Sequence, residues 1–190
     1  MSEAFIDVAE PGTERLRRMT TDRFLRSHRE AGHGAAKVEA LLQNRDIQQE
    51  ILELREVDAV GPVATDLEIA EGETVFVRRR RLLLDDRTPL QLADSYIPMD
   101  LAVGAIREDD AGPGGTYARI EEQGHTLTRF RERHWYRAPT PAEAEQVQPG
   151  GGEHVIQLHR IAYAGDRPVE CFIAVMTASR HMFDYEIDAR

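Results

Sequence analysis

Residues 74–84 read TVFVRRRRLLL, and no other stretch narrows the folding options of this chain so far. Valine, threonine and phenylalanine lead a run of extended-strand character. Alternation along a strand sends Val75, Val77, Arg79, Arg81 and Leu83 to one face and Phe76, Arg78, Arg80, Leu82 and Leu84 to the other. Both faces mix apolar side chains with arginine, so the sheet must be covered on both sides. The same mixture recurs at 126–136. In 168–177, Val169, Cys171, Ile173 and Val175 oppose Glu170, Phe172, Ala174 and Met176. Guanidinium groups under such a cover need partners, because an unpaired buried charge is prohibitively costly. Two kinds of partner are open: carboxylates of the chain itself (Asp94, Glu132 or Glu170) or an anionic ligand held by a guanidinium fork.

The remaining elements follow from punctuation. The strand at 74–84 returns as 89–98 after a short polar turn, a hairpin signal. A second hairpin, 153–163 with 168–177, turns at Ala164-Gly165-Asp166-Arg167. Further strands are expected at 47–57, 126–137 and near 183–188, and helices at 14–30, 35–42, 63–70, 99–106 and 116–123. The clearest local signal is Thr140-Pro141-Ala142-Glu143, a cap residue, a first-turn proline and a capping-box glutamate. It predicts a helix to about Gln148. Long antiparallel strands with helices between hairpins define an α+β domain.

Length and composition exclude several classes. The chain has 190 residues, enough for one domain. No apolar run approaches the roughly 20 residues of a membrane span, and the N-terminus lacks the basic and apolar regions of a secretion signal, which predicts a cytoplasmic protein. One cysteine, Cys171, excludes an internal disulfide framework and a paired-cysteine zinc site. The net charge of −10 argues against a protein built to coat nucleic acid. The charge is uneven, however: residues 13–37 hold seven basic side chains and three acidic ones. That basic segment reads either as a solvated face or linker or as a nucleic-acid or partner contact.

Catalytic patterns are poor. Nucleophile-elbow, zinc-protease, phosphate-loop and dinucleotide fingerprints are all missing from the sequence, and no metal ligands or cofactor are expected. Cys171, mid-strand, reads as a small buried hydrophobe. The one feature with binding chemistry is Gly112-Pro113-Gly114-Gly115 entering a helix at Thr116. Such a loop offers free backbone N–H groups and the positive end of a helix dipole to an anion.

Four runs in order, EGETVFVRRRRLLLDDRTPLQLADSYIPMDL (71–101), GPGGTYARIEEQGH (112–125), RAPTPAEAEQV (137–147) and RIAYAGDRPVECFIAVMTASRHMFDYEI (160–187), resemble the UTRA domain, the effector-binding domain of the HutC subfamily of GntR transcription regulators. The resemblance spans 47–188. Residues 15–34 (RLRRMTTDRFLRSHREAGHG) look like the linker that follows the DNA-binding domain in actinobacterial members. The implied organisation is a flexible arm at 1–14, a basic helical linker-like segment at 15–46 and the effector domain at 47–188.

The resemblance implies a chorismate-lyase-like fold: a mostly antiparallel six-stranded sheet with flanking helices, usually dimeric. It implies a small-molecule effector and no enzymatic activity. The winged helix of the family is missing from the sequence, so no direct DNA contact is expected. A homodimer, and pairing with a full-length GntR-family regulator, are the implied protein partners. The alternatives are a truncated full-length repressor and a chorismate-lyase-like enzyme. Carried over residue by residue, the effector site falls on Arg79, Arg81, Gly115, Thr116, Tyr117 and Glu170. An acidic position of sugar-phosphate-binding members is Ala93 here, a second arginine is Leu83 and a tyrosine is Met176. These departures predict a retained anion site with altered reading of the rest of the ligand.

Overall fold

The computed structural model describes residues 15–19, 22–84 and 86–186. The expected arm at 1–14 and the far end of the strand expected near 183–188 lie outside them. The elements are β1 (Leu16–Met19), α1 (Arg26–Glu30), α2 (Ala35–Leu41), β2 (Ile47–Asp58), α3 (Pro62–Leu67), β3 (Thr74–Leu84), β4 (Pro89–Pro98), α4 (Gly115–Glu122), β5 (Arg129–Arg137), α5 (Pro141–Val147), β6 (Val155–Ala164), β7 (Arg167–Thr177) and β8 (His181–Asp184). Short 3-10 turns lie at Asp22–Phe24, Gly104–Arg107 and Ala178–Arg180.

Six strands form one antiparallel sheet in the order β2-β3-β4-β7-β6-β5. This is the expected α+β architecture with a six-stranded sheet. Both hairpins form where their turns allow. Ala164 pairs with Arg167 across a two-residue loop whose first member, Gly165, takes φ +60°, a conformation with little cost for glycine. In the other turn the Thr88 amide donates to the Asp86 carboxylate at 2.9 Å. The capping box of α5 is complete: the Glu143 amide donates to Thr140 Oγ1, and the Thr140 amide to the Glu143 carboxylate.

The sheet is covered on both faces, as the mixed strands require. Val75 and Cys171 pack with Val63, Ala64 and Leu67 of α3, and Val147 of α5 packs on Val155 and Val175. On the opposite face, Phe76 and Ile97 meet Tyr117 and Ile120 of α4. Leu82, Leu84, Phe172, Ala174 and Met176 pack with Leu16 of β1 on that same face.

Two expectations need correction. The helix expected over 14–30 does not form in its described part. Leu16–Met19 is instead a strand paired in parallel with His181–Asp184, and the helical portion shrinks to Arg26–Glu30. Propensity is overridden here because Leu16 and Arg18 gain burial against the sheet. The 15–46 segment is therefore packed on the body as part of it. The helix expected over 99–106 is reduced to the 3-10 turn at Gly104–Arg107, with Gly104 at φ +55°, outside helical geometry.

Candidate functional site

A cleft of about 500 Å³ opens on the face of the sheet that carries Arg78, Arg80 and Leu82. Gln91 and Ala93 of β4, Arg160 of β6, and Glu170 and Phe172 of β7 complete its floor. Residues 110–117 and the start of α2 wall it, and Arg18 of β1 closes one end.

Each floor arginine has a different situation. Arg78 is fully buried, and its guanidinium donates to the carbonyl oxygens of Ile106, Glu108 and Asp109. It pins the loop that leads to the cleft wall. Arg160 lies between the rings of Phe24 and Phe172, 4.9 and 4.2 Å from their centroids. Its Nε donates to the Tyr117 hydroxyl at 3.1 Å, and its Nη1 lies 3.4 Å from Glu132. Arg80 is different again. Its Nη2 donates to Ser95 Oγ, its buried Nε donates to nothing, and among the described residues no carboxylate forms an ion pair with it. Burial pulls its pKa below the ordinary arginine value, the signature of a charge the protein has desolvated without neutralising.

The glycine loop meets this charge. Gly112, Gly114 and Gly115 all take positive φ, +78°, +78° and +68°. A Cβ on Gly114 would come within 2.6 Å of Ala118 Cβ and 2.8 Å of the Arg29 carbonyl oxygen, so only glycine fits. Gly115 N–H is satisfied by Gly112 O at 3.0 Å, and no side chain caps the helix. Among the described residues the amides of Gly114, Thr116 and Tyr117, at the start of α4, have no acceptor. Tyr117 OH donates to Glu170 at 2.5 Å. Burial, with the Glu170 charge acting in the same direction, raises the phenol far above its ordinary range, so it stays a donor.

A buried chain of ion pairs ties this floor to the N-terminal segment. Glu132 receives Arg23 at 2.7 Å, Arg23 also reaches Glu39 at 2.7 Å, and Glu39 lies 3.6 Å from Arg18. Arg18 Nη1 donates to Gln91 Oε1 and lies beside Met176 Sδ, both at 2.7 Å.

Of the residues expected to form the site, Gly115, Thr116, Tyr117 and Glu170 line the cleft together. Arg79 and Arg81 do not. Arg79 points from the other face, bound to Asp94 at 2.8 Å and Glu53 at 3.1 Å. Arg81 is held by Glu50 at 2.6 Å and Gln146 at 3.2 Å. A one-residue step along a strand reverses the face, and the loop and Glu170 lie with the even-numbered arginines. Arg80, Arg78, Arg160, Arg18 and Gln91 line the cleft as well, and the resemblance does not name them. The parity of β3 was readable, but which parity shares a face with Glu170 depends on how the two hairpins join through β4 and β7. Ala93 lies on the floor, and Met176 sits beneath Arg18.

Cys171 is buried on the α3 side, its thiol pushed up by burial. Among the described residues no cluster of three potential metal ligands occurs, and no helix is long and apolar enough to cross a membrane.

An antiparallel sheet with an arginine-floored cleft beneath a glycine loop defines a ligand-binding domain. The UTRA domain model matches residues 42–182, and the chain belongs to that family. It is 30% identical over 135 residues to the uncharacterized HTH-type transcriptional regulator SCO4628 of Streptomyces coelicolor, covering 68% of this chain and 50% of that relative. The chain thus spans about half the length of that relative. Its fold is similar to the crystal structure of PhnF from Mycobacterium smegmatis (TM-score 0.76, 19% identity, 93% of this chain and 73% of that one). It also resembles the C-terminal domain of the histidine utilization repressor from Pseudomonas syringae pv. tomato (TM-score 0.62, 20% identity, 76% and 100%). SCO4628 is by name a transcriptional regulator and the Pseudomonas syringae protein a repressor, and the shared fold is the chorismate-lyase-like one.

Proposed function

We propose that the cleft binds a small anionic effector, and that the chain serves as the cytoplasmic effector-binding and dimerisation part of a GntR/HutC-type transcription regulator, without cofactor or metal. The observation that carries the reading is Arg80: a guanidinium with a buried, unpartnered Nε, set in the same cleft as the start of α4, where among the described residues the amides of Gly114, Thr116 and Tyr117 have no acceptor. An anion there gains charge-assisted hydrogen bonds from both sources. The contact set is Arg80 and the amides of Gly114, Thr116 and Tyr117, with Gly115 holding the loop through Gly112 O and Glu170 orienting Tyr117.

The test is native mass spectrometry and calorimetry on the chain purified from its own host. A bound anion that raises the melting temperature, and whose affinity drops at least tenfold in Arg80→Gln, is expected. Unchanged affinity in that variant, or tight binding of neutral ligands alone, would overturn the assignment.

The homodimer is part of the same proposal. The outer edge of β5 has no partner strand among the described residues, and it presents Trp135 and Tyr136 at 40% and 68% exposure. Two copies of β5 paired antiparallel about Arg133 would place Arg131 opposite Trp135 and Phe130 opposite Tyr136, favourable cross-strand pairs, with the two central Arg133 side chains each neutralised by Asp66 of its own copy. A related full-length regulator could use the same edge.

A further inference from the structure

The cleft has a second positive end. Arg18 is buried, and its Nε makes no hydrogen bond. Its nearest carboxylate, Glu39, is 3.6 Å away and already engaged by Arg23 at 2.7 Å. The contacts it does make, Gln91 Oε1 and Met176 Sδ, are neutral. Among the described residues, Arg18, Arg23 and Arg160 share the carboxylates of Glu39 and Glu132 in ion pairs, while Arg78 and Arg80 make none, with Asp109, Asp110 and Glu170 near Arg78 and Glu170 and Asp94 near Arg80. Each end thus holds a guanidinium that lacks a carboxylate of its own: Arg80 makes no ion pair among the described residues, and Arg18 shares Glu39 with Arg23.

Strand geometry spaces the floor positions beneath them. Gln91, which holds Arg18, pairs with Leu82, and Arg80 pairs with Ala93. The two rows are two residues apart along β3, roughly 6–7 Å. Leu82 and Ala93 line the floor between them, an apolar stretch that a polar linker would desolvate at a cost.

Resting on the reading of the cleft as an anion site, we propose that its ligand is a dianion: two anionic groups joined by a short apolar spacer, one bound by Arg80 and the loop amides, the other by Arg18. Arg18 is then a specificity-determining residue. Burial, which pulls its pKa down to about 10, agrees with a guanidinium still short of a counter-charge. Because Arg18 lies on β1, occupancy of this second end also fastens the N-terminal segment to the sheet.

The experiment is calorimetry of the full chain with glutarate, adipate and pimelate, with hexanoate as the single-anion match and inorganic phosphate as the compact dianion. The best dicarboxylate is expected to bind at least tenfold more tightly than hexanoate and phosphate. In Arg18→Gln that preference shrinks to within threefold while hexanoate affinity holds. Gln91→Glu, which supplies an internal carboxylate to Arg18, is expected to do the same and serves if Arg18→Gln fails to fold. Equal binding of dicarboxylates and hexanoate, tighter binding of phosphate, or equal weakening of all ligands by both variants overturns the two-ended site but leaves the single-anion reading. Absence of binding by every anion overturns both.

Discussion

Arg80 and Arg81 are chain neighbours with opposite fates. Arg81 is held by Glu50 from the adjoining edge strand, while Arg80 looks into a cleft with a hydroxyl for company. Their chemistry is identical, so the difference is one of face. From residues alone, the run 78–81 announced that guanidinium groups would be buried and that Asp94, Glu132 and Glu170 were available. The structure uses each of those carboxylates: Asp94 for Arg79, Glu132 for Arg23 and Arg160, Glu170 for Tyr117. His181 illustrates a residue whose role no pattern revealed. Its buried ring contacts Thr177 O through Nδ1 at 2.9 Å, and burial holds its pKa down at about 3. The unfolded chain takes up that proton near pH 6.5 and the folded chain only near 3, so stability is full above pH 6.5 and falls as the pH drops toward 3. Between pH 7 and 5 the loss is about 2 kcal/mol, measurable as a lower urea midpoint. His181→Asn is expected to flatten that slope whatever its effect on absolute stability.

Among elements, the glycine loop and α4 were legible because their requirements are local. Left-handed backbone at three positions demands glycine, and the helix begins at the loop's end. The tight seat of Gly114 against Ala118 and Arg29 could not be read, since Arg29 arrives from α1. Gly114→Ala combines a positive φ with a steric clash and is expected to cost roughly 2–4 kcal/mol. Chemical denaturation would show it, and a cost under roughly 0.5 kcal/mol would mean the loop relaxes freely. β1 is the converse case. Its four residues carry no strand signal of their own, and they are extended because β8 offers a parallel partner and the sheet offers burial.

At the scale of the molecule, an acidic chain of net charge −10 encloses a floor with surplus positive charge. The surplus is maintained by exclusion: carboxylates crowd the α3–α5 face, pairing Arg79, Arg81 and Arg133, while the cleft face is undersupplied. Assembly is tested at this scale too. Sedimentation analysis should find a dimer for the intact chain and a shift toward monomer, by at least tenfold in dissociation constant, for Tyr136→Glu, with melting behaviour of the subunit preserved. An unshifted equilibrium in Tyr136→Glu combined with Arg131→Glu would remove β5 from the interface.

Periodicity, turn chemistry and capping are properties of neighbouring residues. That is why hairpins, α5, the loop and the double-sided sheet could be read before any coordinates. Whether an arginine is neutralised or left waiting depends on strands that meet across more than seventy residues of chain and on a segment folded back from the N-terminus. Electrostatic compensation acts through space over a few ångströms, so only the assembled sheet could decide that Arg80 and Arg18, rather than Arg79 and Arg81, face the cleft.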